Sequence, residues 1–197
     1  MSHAKRQVLT IFAGLVMAMS AFAAQPQAAS LTVSGGMLLG ATGVVVNAQT
    51  YDVTFQDGTC QALFSACDQA SDFAFNTLPD AQAAALALMN QVFLDIPPDF
   101  FDTQVQLTVG CTAIGGACFI FVPYATDGVT ASLGAAKNMS IEPSDGVTTA
   151  SLAVNADTTI QPDQTWAIFT LAAAVPEPGT IGLTMLGLAA LLARRRR

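Results

Sequence analysis

"DAQAAALALMNQVFLD", residues 80–95, decides the fold class of this chain. Ala85, Leu88, Met89, Val92, Phe93 and Ile96 recur at helical spacing and form one apolar stripe. Asp80, just after Pro79, is the expected N-cap. Pro97-Pro98 stops the helix, because a residue before proline avoids the helical region. Beyond the prolines the period drops from 3.6 to 2. "TQVQLTVG", "ACFIFVPYA", "VTASLG", "MSIE", "VTTASLAVN" and "TWAIFTLA" are short and rich in Val, Ile, Thr and aromatics, with Gly, Pro, Asn and Asp between them. Upstream, "GVVVNAQTYDVTFQDG" reads as two strands about a turn at Asn47-Ala48-Gln49. Val44 and Val46 alternate on the first, and Tyr51, Val53 and Phe55 on the second. "FAFN" at Phe73 is a further short strand candidate. The expected class is α+β: a mostly antiparallel sheet of short strands with one main helix over about 80–95.

Smaller signals fit that class. "TDGVTASL" from Thr126 and "SDGVTTASL" from Ser144 each read as an Asp-Gly turn launching a strand. Two copies do not make a solenoid. Trp166 alternates with Ile168 in an apolar strand and is expected in the core. The glycine-rich "SGGMLLGATG" from Ser34 matches neither a P-loop nor a dinucleotide fingerprint, and reads as a linker or first strand.

Charge and residue type narrow the chemistry. Between Ala24 and Ala174 there are thirteen Asp/Glu against Lys137 alone, a net of about −12. Such a surface repels phosphates, so nucleic acid and anionic lipid are poor partners and cations better ones. The one histidine, His3, lies in the N-terminal segment described below, and the interior of the chain has no arginine. No Ser-His-Asp or Cys-His arrangement is open to it, and no catalytic residue or cofactor is assigned. Asp95, Asp99 and Asp102 surround Pro97-Pro98 and are weak calcium candidates, without EF-hand spacing. A carboxylate pair for glycoside hydrolysis has one core glutamate to draw on, Glu142.

Cys60 and Cys67, then Cys111 and Cys118, share the spacing Cys-x6-Cys. Zinc pairs sit two to four residues apart, so disulfides are expected, with three connectivities open. Cys111 with Cys118 is attractive because Ile114-Gly115-Gly116 can turn a hairpin that sets them opposite. Cys60 with Cys67 requires "CQALFSAC" to depart from a regular helix, which would hold the sulfurs too far apart.

The two ends carry an address. Lys5 and Arg6, the apolar run Val8 to Met19, and Ala21-Phe22-Ala23 make residues 1–23 a signal peptide for the secretion machinery, cut by signal peptidase after Ala23. Residues 24–30 read as a flexible leader and 31–172 as the exported globular domain. At the other end stands "AVPEPGTIGLTMLGLAALLARRRR", residues 174–197. Its uncharged run from Ile181 to Ala193 makes a helix of roughly 20 Å, short of the ~30 Å hydrocarbon core. It spans a membrane only if the bilayer thins and arginine stems reach outward. The basic tail keeps to the cytoplasm and leaves Pro-Glu-Pro outside.

Val175-Pro176-Glu177-Pro178-Gly179, the apolar run 180–193 and Arg194-Arg195-Arg196-Arg197 together resemble the PEP-CTERM sorting signal of Gram-negative bacteria, here residues 173–197. The resemblance implies an exosortase that cuts at or near Pro-Glu-Pro, with the four arginines retaining an inner-membrane precursor until then. It also implies delivery to the cell surface or extracellular matrix, often beside exopolysaccharide and biofilm systems. It says nothing of residues 30–170. For that core the expected role is a non-enzymatic structural or adhesive one, with extracellular polysaccharide as a partner. A calcium-dependent carbohydrate- or partner-binding module and a secreted carboxylate-based carbohydrate-active enzyme are the alternatives.

Overall fold

The computed structural model describes residues 29–113, 116–141 and 144–173. The chain runs through strands β1 (Ser30–Ser34), β2 (Met37–Val46) and β3 (Gln49–Gln56), then a one-turn helix α1 (Cys60–Leu63) and the main helix α2 (Leu78–Gln91). The two-residue strands β4 (Asp95–Ile96) and β5 (Asp99–Phe100) follow, and then β6 (Ala117–Thr126), β7 (Thr130–Met139), β8 (Gly146–Ala153) and β9 (Gln164–Leu171). Seven strands form one sheet in the order β1-β2-β3-β9-β6-β7-β8. All neighbours are antiparallel except β6 and β9, which run parallel. The α+β class holds: a mostly antiparallel sheet with one main helix.

Turn chemistry sets the β2–β3 hairpin. Asn47 and Ala48 have φ of 48° and 63°. A two-residue loop with both centres left-handed matches the twist of the strands it joins. Gln49 already belongs to β3. The glycine-rich stretch forms the β1–β2 hairpin, and Ser30 is part of β1, so the expected leader stops short of it.

The main helix exists, with both ends moved. Thr77, not Asp80, is the N-cap, and its hydroxyl accepts from the Asp80 N–H at 3.3 Å. Pro79 and Asp80 thus lie inside the first turn, where a missing N–H and a negative charge are tolerated. The helix ends at Gln91 rather than near 95. Val92 leaves helical geometry at φ −121°, and both it and Phe93 are drawn fully into the core. The prolines sit instead between β4 and β5, which leaves Ile96 61% exposed and off the stripe. Three other expected strands are absent. "MSIE" supplies only Met139, the last residue of β7, with Ser140 and Ile141 outside any strand and Glu142 outside the described residues. "TQVQLTVG" holds a 3-10 turn at Val105–Leu107, and "FAFN" is irregular, with Phe73 and Phe75 buried in different clusters.

Alternation feeds two separate cores. Cys118, Ile120 and Val122 of β6, with Ala167 and Phe169 of β9, join a cluster that includes α2 residues Ala81, Ala84, Ala85 and Leu88. The intervening Phe119, Phe121, Trp166 and Ile168 join the other, with Cys60, Phe64, Cys67 and Phe73. Successive residues of a strand point to opposite faces, so the central strands are covered on both. Trp166 is fully buried and meets Phe64 and Phe121 edge-on at 5.6 and 5.5 Å.

Both disulfides are local. Cys60 pairs with Cys67 and Cys111 with Cys118, with Cα atoms 5.6 and 5.5 Å apart. The first closes because α1 lasts one turn and Ser65, Ala66 and Cys67 all take left-handed φ, at 45°, 77° and 54°. That conformation costs roughly 1–2 kcal/mol per residue, held here by the crosslink and the burial of Cys67. The second pairing does not arise from a hairpin that sets its cysteines opposite. Cys111 forms a bridge with Asp163, and Cys118 lies across from Asn138 on β7. Ile114 and Gly115 lie outside the described residues.

Helix and sheet meet through small residues. A methyl added at Gly134 of β7 would stand 2.9 Å from the Ala81 carbonyl carbon and 3.1 Å from its Cβ. Gly134→Val raises strand propensity yet drives a side chain into α2. The expected loss is about 1–3 kcal/mol, roughly 3–10 °C in Tm by thermal denaturation. An unchanged midpoint would contradict this packing.

Candidate functional site

The described residues show how the chain enters and leaves the body. Ser30 of β1 stands opposite Thr42 of β2, while Ala41 and Val44 of β2 flank the partners of Asp52, and Asp52 stands opposite Thr170 of β9. The Gly43 N–H also bonds the Asp52 carboxylate at 3.2 Å. Entry and exit therefore share one row of the sheet, three strands or about 14 Å apart. After Leu171 the Ala172 N–H bonds the Thr50 carbonyl at 2.9 Å. The description stops one residue later, at Ala173.

Beside this exit lies a cavity of about 220 Å³ lined by Asn47, Gln49, Tyr51, Phe75, Asn76 and Asp80 among others. Tyr51 faces Leu171 across the β3–β9 pair and packs on Phe75 at 5.1 Å. Asp80 accepts from the Asn47 amide at 2.9 Å and the Thr77 hydroxyl at 2.6 Å, tying the start of α2 to the β2–β3 turn. None of these residues was singled out from the sequence for binding. The pattern Thr77-x-x-Asp80 ahead of an apolar run was the available signal, since it marks a capped helix start.

The three calcium candidates do not converge. Asp95 accepts from the Asp102 N–H and Thr103 N–H, both at 3.1 Å, and from the Thr103 hydroxyl at 2.7 Å. Its carboxylate closes a loop. Among the described residues no group of three or more His, Cys, Asp or Glu is placed to hold a metal ion. In the Asp-Gly repeat, Asp127 accepts from the Val129 and Thr130 N–H groups, which lowers its carboxyl pKa. Asp145 instead accepts from the Met139 N–H at 2.6 Å, across its hairpin.

Asp57 is the perturbed carboxyl that faces inward. Burial raises its pKa, the Thr158 hydroxyl at 3.2 Å opposes that rise, and the nearby Asp157 charge adds to it. The same hydroxyl accepts from the Gly58 N–H at 3.0 Å, and the Gly58 carbonyl accepts from Trp166 Nε1 at 3.0 Å. This network joins the end of β3 to the segment that leads into β9.

The expected sorting residues Val175, Pro176, Glu177, Pro178, Gly179 and Arg194 to Arg197 lie outside the described residues, as do the signal segment with Ala21 and Ala23, and Glu142. Residues 174–197 match the family model for the PEP-CTERM protein-sorting motif. The chain carries a PEP-CTERM sorting motif. The PEP-CTERM motif implies an exported protein with exosortase as its processing partner. It begins three residues after β9 ends. Neither curated proteins nor solved structures gave a match. Among the described residues no helix is long and apolar enough to cross a membrane, and the apolar run 181–193 lies outside them.

Asp57→Asn keeps an oxygen for Thr158 and removes the ionisation. With its pKa raised on folding, Asp57 makes the folded state hold more protons than the unfolded one between the two values. Wild-type stability therefore falls as pH rises through that window. The variant escapes this loss. Its Tm should exceed the wild type's at pH 7, with the difference closing near pH 3, where both states are protonated. A lower Tm for the variant at pH 7 would overturn this account.

Proposed function

We propose that this protein is delivered by exosortase to the cell surface or extracellular matrix, where its acidic, disulfide-closed body plays a non-enzymatic structural role beside extracellular polysaccharide. The observation that carries it is the sorting motif beginning three residues after the central strand β9. One feature of the body supports the delivery: both disulfides suit an oxidising compartment.

On this reading the mature protein runs from Ala24 to about Pro178. Ala21 and Ala23 direct the first cut, Val175 to Gly179 the second, and Arg194 to Arg197 hold the precursor between them. Intact-mass analysis of protein from the native host should show both ends removed. Glu177→Ala should accumulate a precursor that still carries the four arginines. Surface material retaining those arginines in the wild type would defeat the processing scheme. For the role itself, deleting the gene should weaken biofilm or reduce bound polysaccharide; unchanged matrix in the deletion strain would count against it.

A further inference from the structure

The two edges of the sheet are treated differently. β1 has five residues and a register shift between Thr32 and Val33, and short or irregular edges resist further pairing. β8 has eight residues, "GVTTASLA", in unbroken register with β7 and without a charge or a proline. Apart from the Ala156 N–H on the Ala153 carbonyl, no described residue outside β7 bonds to its backbone. An edge of this kind is a template for another strand.

Along this edge Thr148, Thr149, Ser151 and Ala153 are exposed, so the side chains beside the unpaired backbone are small and uncharged.

We propose that two copies of this chain pair through their β8 edges across a two-fold axis normal to the sheet, making one continuous sheet. The sequence of β8 is self-complementary in that arrangement. Setting Thr149 against Ser151 places Thr148 against Leu152, Val147 against Ala153 and Ala150 against itself. Every pair is uncharged, and each joins residues on the same face. The two-fold contact closes, and the blunted β1 edge does not extend it, so assembly stops at a dimer. The bodies are strongly acidic, so their repulsion opposes the contact and salt relieves it. This inference does not depend on the sorting or matrix reading.

The exported protein, in the processed form its host yields, is measured by sedimentation velocity from about 1 µM to about 1 mM. A dimer should form toward the upper end, and more readily in ~0.5 M than in ~0.05 M NaCl. Amides of residues 146–153 should exchange more slowly with deuterium as concentration rises. Thr149→Lys makes the chain less acidic, so charge alone would favour association; the expected result is at least tenfold weaker dimerisation, from a blocked edge. If the lysine variant does not fold, the concentration-dependent exchange of the wild type's 146–153 amides decides the matter. A monomer throughout, or a dimer in which the 146–153 amides exchange as fast as in the monomer, would overturn the proposal.

Discussion

The pairing of β9 with both of its neighbours holds the sheet together. β9 runs antiparallel to β3 over six residue pairs, Gln56 to Trp166 through Tyr51 to Leu171, and parallel to β6 over three. On one side lies the meander β1–β3 and on the other the meander β6–β8, and among the described residues β9 is the only strand bonded to both. Its side chains divide in the same way, Ala167 and Phe169 to one core and Trp166 and Ile168 to the other. A strand buried on both faces reads as a continuous apolar run, as "WAIF" does, and the buried Thr165 before it donates its hydroxyl to the Gln56 carbonyl. The segment entering β9 is fastened accordingly. Pro162 accepts from the Thr112 and Ala113 N–H groups, Asp163 accepts from the Phe119 N–H at 2.8 Å, and the Cys111–Cys118 bridge closes around both contacts.

The helix packing follows from the same economy of space. α2 approaches the sheet with alanines, and Gly134 meets it without a side chain. Close backbone approach of this kind gains dispersion contact at little side-chain entropy cost, because alanine and glycine have no rotamers to lose. It also explains why the helix is amphipathic only weakly by eye. Apart from Leu88, its buried face is made of alanines, and further large apolar contacts come from Val92 and Phe93, just past its end.

The sequence carried the class, the helix, the hairpin at Asn47 and most strands, because those depend on local period and turn chemistry. It carried both disulfides as possibilities, since spacing limits them. What it did not carry depends on partners distant in the chain. Ile96 fits a helical stripe perfectly well by period, yet Val92 and Phe93 are drawn into the core and end the helix first. "TQVQLTVG" has strand propensity, yet it pairs with no strand along its length, and only Thr108 makes a bridge, to Leu38. Cys111 and Cys118 were expected face to face on a hairpin; instead Asp163 stands across from Cys111. The parallel β6–β9 pair leaves no local trace at all. Of the functional residues, the sorting motif was fully legible because it is read as a linear string. The β8 edge was not, because whether a strand is central or outermost is a property of the sheet.

The place of β9 also links folding to sorting. The two meanders cannot be joined by hydrogen bonds until residues 164–171 are available, so the sheet closes on its last strand. The motif follows at once. From Leu171 to Glu177 is six residues, at most roughly 20 Å of extended chain. Under the proposed processing, exosortase works within that distance of the exit, facing the turn at Asn47–Ala48 and the first turn of α2. A body still lacking β9 would present the same tail on a strand without its ladder, leaving the apolar residues of "TWAIF" exposed beside the cut. A body with β9 seated holds the start of the spacer to β3, through the Ala172 N–H on the Thr50 carbonyl. On the proposed processing, folded and unfolded substrate would therefore offer the motif from different anchor points, set by backbone hydrogen bonds two or three residues before it begins.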